Sequence, residues 1–365
     1  MRTTKSLVML AAGSTAVLLA LAGCAGNDAG KPGSQGPAGT VAIDVGNDMT
    51  VNLKTGKGLK VAVFIPGVAN EFGLEQERAA NVTAKELGMD MTLFDAGYDP
   101  NKQLNQMQTA MTSGNFDAAV VMALDGVMSC KLLTHDFAKA NILTSISGSP
   151  LCDDGKNQAG KSVDDVWAPG TLNFVGSNTT RDYVDGWLAA AAKANPGKQK
   201  IVAVLGPAVN TQTRVTEAAL AKLTADNPDY SVETIYTDWT TTDAYNKTQT
   251  YLQGHPDTTL IMSASSPDLT QGVVQAEKDA GLSEKVHVVD IGFGKFQIQQ
   301  LEAGTVQLST MLFPFNQMKA NLNSIAAAQR GDAGTRFVDD SVVGTAKNPF
   351  VVTKETISQL PAELR

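Results

Sequence analysis

From Lys60 onward, short apolar segments alternate with longer segments of helical periodicity, and this alternation constrains the fold more than any other feature. The short segments are apolar along their whole length instead of at every second position. Parallel strands that are covered by helices on both faces have this pattern. The sequence therefore predicts an α/β protein with parallel sheets. The predicted strands are 61–66, 91–95, 118–123, 142–146, 172–176, 201–205, 231–236, 259–263, 286–291 and 306–312.

The segments between these strands carry apolar residues at helical spacing. Several of them stop at a glycine, such as Gly88 and Gly114, and glycine is the residue that most often follows the last helical turn. The predicted helices are 72–87, 101–113, 181–195, 212–225, 241–253, 268–280 and 316–330.

One pattern occurs twice in the chain, once at the start of each half. Residues 60–70 read KVAVFIPGVAN and residues 200–210 read KIVAVLGPAVN. The roughly 300 residues after Lys60 exceed one comfortable core, so we expect two lobes. Ligands of open α/β sheets bind beyond the carboxyl ends of strands, where loops enter helices. Two lobes that face each other through such loops predict a cleft, with Asn210 and Gln212 directed into it.

Composition and motifs exclude several classes of function. The chain has 29 basic and 37 acidic residues and a net charge of −8, which argues against nucleic acid and against anionic lipid as partners of a basic surface. Its three histidines are far apart, so no metal site is predicted. A nucleophile elbow, a zinc-protease helix and a phosphate-binding loop are all absent. We therefore expect neither an enzyme nor a cofactor.

The first 24 residues have the composition of a secretion signal. Arg2 and Lys5 precede an apolar run over 7–20, and small residues come before Cys24. The motif Leu-Ala-Gly-Cys that ends at Cys24 resembles the lipobox of bacterial lipoproteins. The resemblance implies a signal peptide over 1–23, lipidation of Cys24 and a lipid-anchored position at the outer face of the bacterial cell membrane. The alternative is an ordinary secretion signal with an incidental cysteine.

Between Cys24 and the regular pattern, residues 24–58 are predicted to form a flexible tether and a short hairpin. Residues 25–40 are rich in glycine and proline and nearly free of apolar side chains, as flexible linkers are. Residues 41–58 are ambiguous, although apolar and polar residues alternate at their start as in a hairpin strand.

Two cysteines remain if Cys24 is the lipid site. Cys130 and Cys152 could then form a disulfide, because such bonds persist in oxidising compartments. The closed loop of about 23 residues would contribute about 3.4 kcal/mol to the free energy of unfolding. The alternative is two buried free thiols.

Five short motifs between residues 59 and 358 occur in the order and spacing of a known family. They are Asn70-Glu71-Phe72, Asp99-Pro100-Asn101-Lys102-Gln103, Arg214, His255-Pro256-Asp257 and the segment 351–357. Together they resemble the type I periplasmic-binding-protein family, which includes ribose-binding substrate-binding lipoproteins of sugar ABC transporters.

The resemblance implies two Rossmann-like lobes with parallel sheets, joined by a three-strand hinge around a ligand cleft. We expect the chain to cross the hinge near Gly176, Pro314 and Val338. The N-terminal lobe would contain 59–176 plus 314–337, and the C-terminal lobe 177–313 plus 338–365.

The resemblance also assigns four residues to the ligand site. Asn70 matches an amide of the first lobe, Arg214 a guanidinium of the second, and Phe72 and Trp239 two stacking aromatics. Aromatic faces pack against the C–H groups of a sugar ring, while amide and guanidinium groups donate hydrogen bonds to hydroxyls. Three of the four also have a simpler interpretation: Asn70 as a helix cap, Phe72 as core, and Arg214 as a surface ion pair.

Three further candidates are less typical of the family. Asp125, after the third strand, could accept hydrogen bonds from hydroxyls or cap a helix. Ser266 stands where the family often has an asparagine, and Phe293 follows Gly292 where an acidic residue is usual. Two strong hydroxyl acceptors are therefore missing, which leaves a deoxygenated sugar, a polyol, a nucleoside or an aromatic compound open as ligands.

The sequence thus predicts a monomeric receptor that closes its hinge around a small ligand, expected to be a sugar, and delivers it to an ABC permease. Its contact with the membrane would be through the lipid alone. Three alternatives stay open at this point: a sensory receptor for a signalling partner, a binder of a less polar ligand, and an extracytoplasmic enzyme on the same scaffold.

Overall fold

The computed structural model describes residues 33–153, 166–176, 180–264, 266–292, 294–332, 334–340, 342–343, 346–347 and 351–360. Within these residues the chain forms two six-stranded α/β sheets, one small antiparallel sheet and a short hairpin. The α/β class and the two-lobe architecture predicted from the sequence are confirmed. In the same part of the chain, no helix is both long enough and apolar enough to cross a bilayer.

The small sheet precedes the lobes and contains β1 (Ser34–Gln35), β2 (Thr40–Gly46) and β3 (Met49–Lys54) in antiparallel order. It contains the hairpin that the alternation after residue 41 suggested. The flexible tether predicted over 25–40 is wrong from Ser34 onward, because β1 pairs with β2. Apolar side chains of β2 and β3 are buried in the same cluster as helix 314–329 of the first lobe.

The first large sheet is entirely parallel and has the order β14-β8-β7-β6-β4-β5. Its helices are capped by residues that suit those positions, since Asn70 and Asp99 begin two helices and Gly88 and Gly114 end them in left-handed conformations. The strands are Lys60–Ile65 (β4), Asp90–Asp95 (β5), Ala118–Val121 (β6), Leu143–Ser147 (β7), Asn173–Val175 (β8) and Phe337–Val338 (β14). The helices are Glu71–Leu87 (α1), Pro100–Ser113 (α2), a π-helix at Leu132–Asp136 that continues into Phe137–Lys139 (α3), and Pro314–Gln329 (α9).

The second large sheet has the order β10-β9-β11-β12-β13-β17, parallel except for its last strand. The strands are Gln199–Leu205 (β9), Tyr230–Tyr236 (β10), Leu260–Ser263 (β11), His287–Gly292 (β12), Val306–Met311 (β13) and Val351–Val352 (β17). The helices are Arg181–Ala194 (α4), Thr211–Asp226 (α5), Thr241–Gly254 (α6), Pro267–Asp279 (α7) and Gly294–Ala303 (α8). The hairpin Val342–Val343 (β15) and Ala346–Lys347 (β16) and a 3₁₀ turn at Ile357–Gln359 complete the described elements.

The chain passes between the two large sheets three times. It leaves the first sheet after Val175, returns between Met311 and Pro314, and leaves again after Val338. The three-strand connection expected from the sequence is therefore observed.

Candidate functional site

The strand orders place a crevice in each lobe at the carboxyl ends of the strands. In the first sheet the order reverses between β4 and β6, and in the second between β9 and β11. Loops on either side of such a reversal lead to opposite faces of the sheet and leave space between them. The loops after β4 and β6 of the first lobe meet the loop after β9 of the second, and a cavity lies between them.

The cavity has a volume of about 70 Å³ and is lined by both lobes. Four of the eight predicted ligand-binding residues lie in its wall, and Gln212 lies there as the repeated pattern suggested. The lining residues are Pro66, Asn70, Phe72, Tyr98, Met122, Ala123, Leu124, Ser149, Asn210, Gln212 and Trp239.

Asn70 serves the helix as well as the cavity. Its side-chain oxygen accepts a hydrogen bond from the backbone N–H of Gly73 at 3.0 Å, which caps α1. Its amide also faces the phenol of Tyr98 and partly opposes the rise in the pKa of that phenol. The interpretation of Asn70 as a helix cap is therefore confirmed, and the residue also lies in the cavity wall, while its contact with a ligand stays a prediction.

Asn210 begins α5 but makes no side-chain cap. The residue is buried, and its side-chain oxygen has no hydrogen-bond partner among the described residues. An unsatisfied buried amide oxygen costs about 1–3 kcal/mol. A hydroxyl donor in the cavity would satisfy it, so Asn210 is well suited to contact a polar ligand.

Aromatic side chains form much of the remaining wall. Phe72 belongs to the same buried apolar cluster as Trp239, although the two residues come from different lobes, and Tyr98 packs against that cluster. Trp239 has a positive φ of 68°, which is unusual for a residue with a large side chain, and its ring packs directly on the backbone of Gly206. Burial and the nearby Asp268 carboxylate raise the pKa of Tyr98, so its phenol stays a neutral donor.

Arg214 and Asp125 face each other from the two lobes beside the cavity, not in its wall. Arg214 Nη2 lies 3.3 Å from Asp125 Oδ2. The other carboxylate oxygen of Asp125 accepts hydrogen bonds from the N–H groups of Val127 and Met128, both at 2.9 Å. Arg214 Nε is buried and has no hydrogen-bond partner among the described residues. The capping interpretation of Asp125 and the ion-pair interpretation of Arg214 thus both apply, with the ion pair bridging the lobes.

Of the two remaining candidates, Ser266 does not line the cavity. Ser266 caps α7, since its hydroxyl accepts a hydrogen bond from the N–H of Asp268 at 3.2 Å. Asp268 in turn accepts from the N–H of Glu71 in the other lobe at 3.3 Å. Burial raises the pKa of both of these carboxyls, and their proximity raises that of Glu71 further. Phe293 lies outside the described residues.

Sequence reasoning missed six lining residues. Pro66 directly follows β4, and the others are Tyr98, Met122, Ala123, Leu124 and Ser149. Tyr98 stands after β5 in a left-handed conformation, and neither periodicity nor a motif marks such a residue. The other four directly follow β6 and β7, so the rule that sites lie beyond strand ends was the available signal.

The lining residues determine what the cavity can do chemically. None of them is acidic or basic; the polar ones are three amides and two hydroxyls, and the rest are apolar. Such a wall can hydrogen-bond a neutral ligand and pack against its apolar face. Typical ligand pockets measure about 300–1,000 Å³, so the two lobes must separate to admit a ligand of that size.

Comparison with known proteins gives a family match and a curated relative. The family model described as "Periplasmic binding protein domain" matches residues 61–333. The D-apiose import binding protein of Paraburkholderia graminis is 27% identical over 235 residues, which cover 64% of this chain and 68% of that protein.

Solved structures share the fold. The Caulobacter myo-inositol binding protein, bound to myo-inositol, has a TM-score of 0.68 and 18% identity, covering 83% of this chain and 96% of its own. A solute binding protein of an ABC transporter from Agrobacterium vitis, bound to α-D-tagatopyranose, has a TM-score of 0.66 and 17% identity, with coverages of 82% and 96%.

Proposed function

The chain belongs to the periplasmic binding protein domain family, and we propose that it is the sugar-binding component of an ABC importer. The observation that carries this proposal is the uncharged cavity between the lobes, whose wall combines aromatic side chains with the unpaired buried oxygen of Asn210. The curated relative is named for D-apiose import, and two structural neighbours hold myo-inositol and tagatose. A small neutral sugar fits the same chemistry.

The proposed mechanism is hinge closure. Ligand contacts from both lobes would stabilise a closed state, which a permease then recognises. We place the lobes at 59–176 plus 314–337 and at 177–313 plus 338–365, so that the hinge runs through the three crossings. In this mechanism the protein binds and releases its ligand as a monomer, without chemical turnover.

We also propose that Cys24 carries the lipid that holds the protein at the outer face of the cell membrane. The support is the lipobox sequence, since Cys24 lies outside the described residues. In a bacterial host, a Cys24→Ser variant should lose the lipid mass and leave the membrane fraction. A variant that keeps its membrane attachment would contradict the proposal.

A thermal-shift screen of the purified chain tests the sugar proposal. The panel contains D-apiose, D-tagatose, L-arabinose and myo-inositol, together with adenosine and an aromatic acid for the less polar alternative that the apolar half of the wall favours. At one hundred times its Kd, a ligand adds about 2.7 kcal/mol to the free energy of unfolding, and the Tm rises by several degrees. A shift with adenosine or the aromatic acid alone would contradict the sugar proposal.

A matched pair of tryptophan variants tests whether the ligand occupies this cavity. Trp239→Phe removes part of the cavity wall, whereas Trp167→Phe alters a ring that stacks on Arg336 in the first lobe. We expect the Kd of the sugar that binds best in the screen to rise about tenfold in the first variant and to stay unchanged in the second. Equal Kd values in both variants would show that the sugar binds outside this cavity.

A further inference from the structure

The disulfide between Cys130 and Cys152 joins two loops of the first lobe that reach the cavity. The β6 loop (residues 122–130) contributes Met122, Ala123 and Leu124 to the wall, and the β7 loop (residues 148–152) contributes Ser149. The bond connects the far ends of both loops. The pairing suggested by the sequence is therefore present, and it joins two loops that line the cavity.

The two loops pack backbone against backbone. The N–H of Cys152 donates a hydrogen bond to the carbonyl oxygen of Gly126 at 3.0 Å. A Cβ on Gly126 would lie 2.0 Å from the carbonyl oxygen of Pro150, so only glycine permits this approach. A small movement of one loop would therefore displace the other.

Cys152 holds an unfavourable backbone conformation in this arrangement. Its φ is +63°, in the left-handed region where a side chain with a Cβ is strained. Such conformations persist only where the surroundings impose them. The described restraints on Cys152 include the disulfide and the hydrogen bond to Gly126.

The β6 loop also makes several of the contacts that join the lobes beside the cavity. The N–H of Gly126 donates to Thr211 Oγ1 at 3.1 Å, and the N–H of Thr211 donates to the carbonyl oxygen of Leu124 at 3.4 Å. Asp125 of the same loop pairs with Arg214. The loop that the disulfide restrains therefore serves both the cavity wall and the closed state.

We propose that the Cys130–Cys152 disulfide is a positioning element for the ligand site. It holds the β6 and β7 loops in the geometry that binds the ligand and closes the cleft, so its loss lowers affinity beyond any effect on stability. The statement about affinity rests on the proposed function, whereas the statement about loop geometry does not.

Two double variants and one control test the proposal. Cys130→Ala/Cys152→Ala removes the bond, and Cys130→Ala/Cys152→Gly removes it while allowing residue 152 its left-handed conformation without strain. Val51→Ala removes apolar contacts of the small antiparallel sheet, in a buried cluster that contains no residue of either loop. Titration calorimetry uses whichever of D-apiose, D-tagatose, L-arabinose and myo-inositol binds the wild-type chain most tightly, at a temperature where all variants are folded.

We expect the Kd to rise about tenfold in both double variants and to change less than twofold in Val51→Ala. A Kd in the double variants that changes no more than in the control would overturn the proposal. Hydrogen exchange without ligand gives the second measurement, on peptides covering 122–130 and 148–152. These peptides should exchange about tenfold faster in the double variants than in Val51→Ala.

The two measurements separate the failure of one proposal from that of the other. If no sugar binds the wild-type chain, the sugar proposal fails, and the exchange rates alone decide whether the disulfide positions the loops. Unchanged exchange in the double variants would then overturn the inference.

Discussion

The two segments with the repeated pattern, 60–70 and 200–210, form the same local structure but use their last residue differently. Each consists of a strand, a turn and an asparagine at the start of a helix. In the first lobe the side-chain oxygen of Asn70 accepts a hydrogen bond from the backbone of its helix. In the second lobe the side-chain oxygen of Asn210 stays unpaired in the wall of the cavity. A helix start of this kind can thus supply either a cap or a ligand contact, and the sequence pattern does not distinguish the two.

The interiors of the lobes differ at matching positions too. Phe64 and Val204 hold the same place in the two repeated segments. Two strands further into each sheet, the strand pairing leads from Phe64 to Ile146 of β7 and from Val204 to Asp290 of β12, so these two residues correspond. Ile146 is paired with Val121 and lies in an apolar core, whereas Asp290 is paired with Ser263 and is fully buried. The second lobe therefore carries an ionisable group where the first carries a hydrocarbon.

This difference predicts that the second lobe makes stability depend on pH. Burial raises the pKa of Asp290 to about 7, although hydrogen bonds with Ser309, Thr270 and Gln297 oppose the shift. The unfolded value is about 3.9, so the folded state holds the proton more tightly. The protonated Asp290 side chain therefore contributes fully to the free energy of unfolding below about pH 4, the unfolded pKa. This contribution decreases as the pH rises from about 4 and is lost once the pH passes about 7, the folded pKa. The loss is about 4 kcal/mol by pH 9.

Urea unfolding at several pH values from 4 to 9 measures this effect. Asp290→Asn cannot ionise, so its free energy of unfolding should fall about 4 kcal/mol less than that of the wild type over this range. Asp332→Asn, at an exposed carboxylate, serves as the control and should follow the wild type. Parallel curves for Asp290→Asn and the wild type would show that Asp290 keeps an ordinary pKa.

A second comparison concerns the third residue after each asparagine. In the first lobe this is Gly73, where a Cβ would lie 1.6 Å from the carbonyl oxygen of Gly67. In the second it is Thr213, whose buried hydroxyl has no hydrogen-bond partner among the described residues. We expect Gly73→Ala to lower the free energy of unfolding by about 3 kcal/mol, because backbone must move, and Thr213→Ala by less than about 1 kcal/mol.

Chemical denaturation of both alanine variants checks this asymmetry. The measurement also tests how closely α1 packs against the loop after β4. Equal losses in the two variants would mean that the two helix starts pack alike and that the contrast between the lobes is confined to the asparagines.

The sequence was informative where apolar runs and helix periodicity repeat. All ten predicted strands form. The central ones are apolar runs that a sheet covered on both faces buries, whereas the edge strands β5 and β10 are partly polar and only partly buried. Strand β1 was not predicted, since Ser34 and Gln35 carry no apolar signal and are ordered only by pairing with β2. Local composition therefore gave a wrong prediction where a segment forms a strand by pairing with its neighbour.

The site was predictable only in part, for a related reason. Asn210 and Gln212 follow from the repeated pattern, and Asn70, Phe72 and Trp239 from the resemblance to the family. Tyr98 depends on a left-handed turn whose direction no local pattern encodes. Asp290 left a signal that was not used, namely a single carboxylate inside an apolar strand.

The asparagines themselves give the smallest expected effect and the most direct test of the opening contrast. Asn70→Ala removes a cap, so the free energy of unfolding should fall by about 1 kcal/mol. Asn210→Ala removes an unsatisfied buried oxygen, so the ligand-free protein should be no less stable than the wild type. Its Kd for the sugar that binds best in the screen should nevertheless rise about tenfold, since the ligand loses a hydrogen-bond acceptor worth about 1.4 kcal/mol.

Denaturation and calorimetry on both variants separate these roles. Asn70 also contacts Tyr98 in the cavity wall, so some loss of affinity in Asn70→Ala is compatible with the contrast. The combination that matters is in Asn210→Ala, where affinity must fall without a fall in stability. If Asn210→Ala lowers the free energy of unfolding and leaves the Kd unchanged, Asn210 acts as a helix cap like Asn70. The two helix starts would then have the same role.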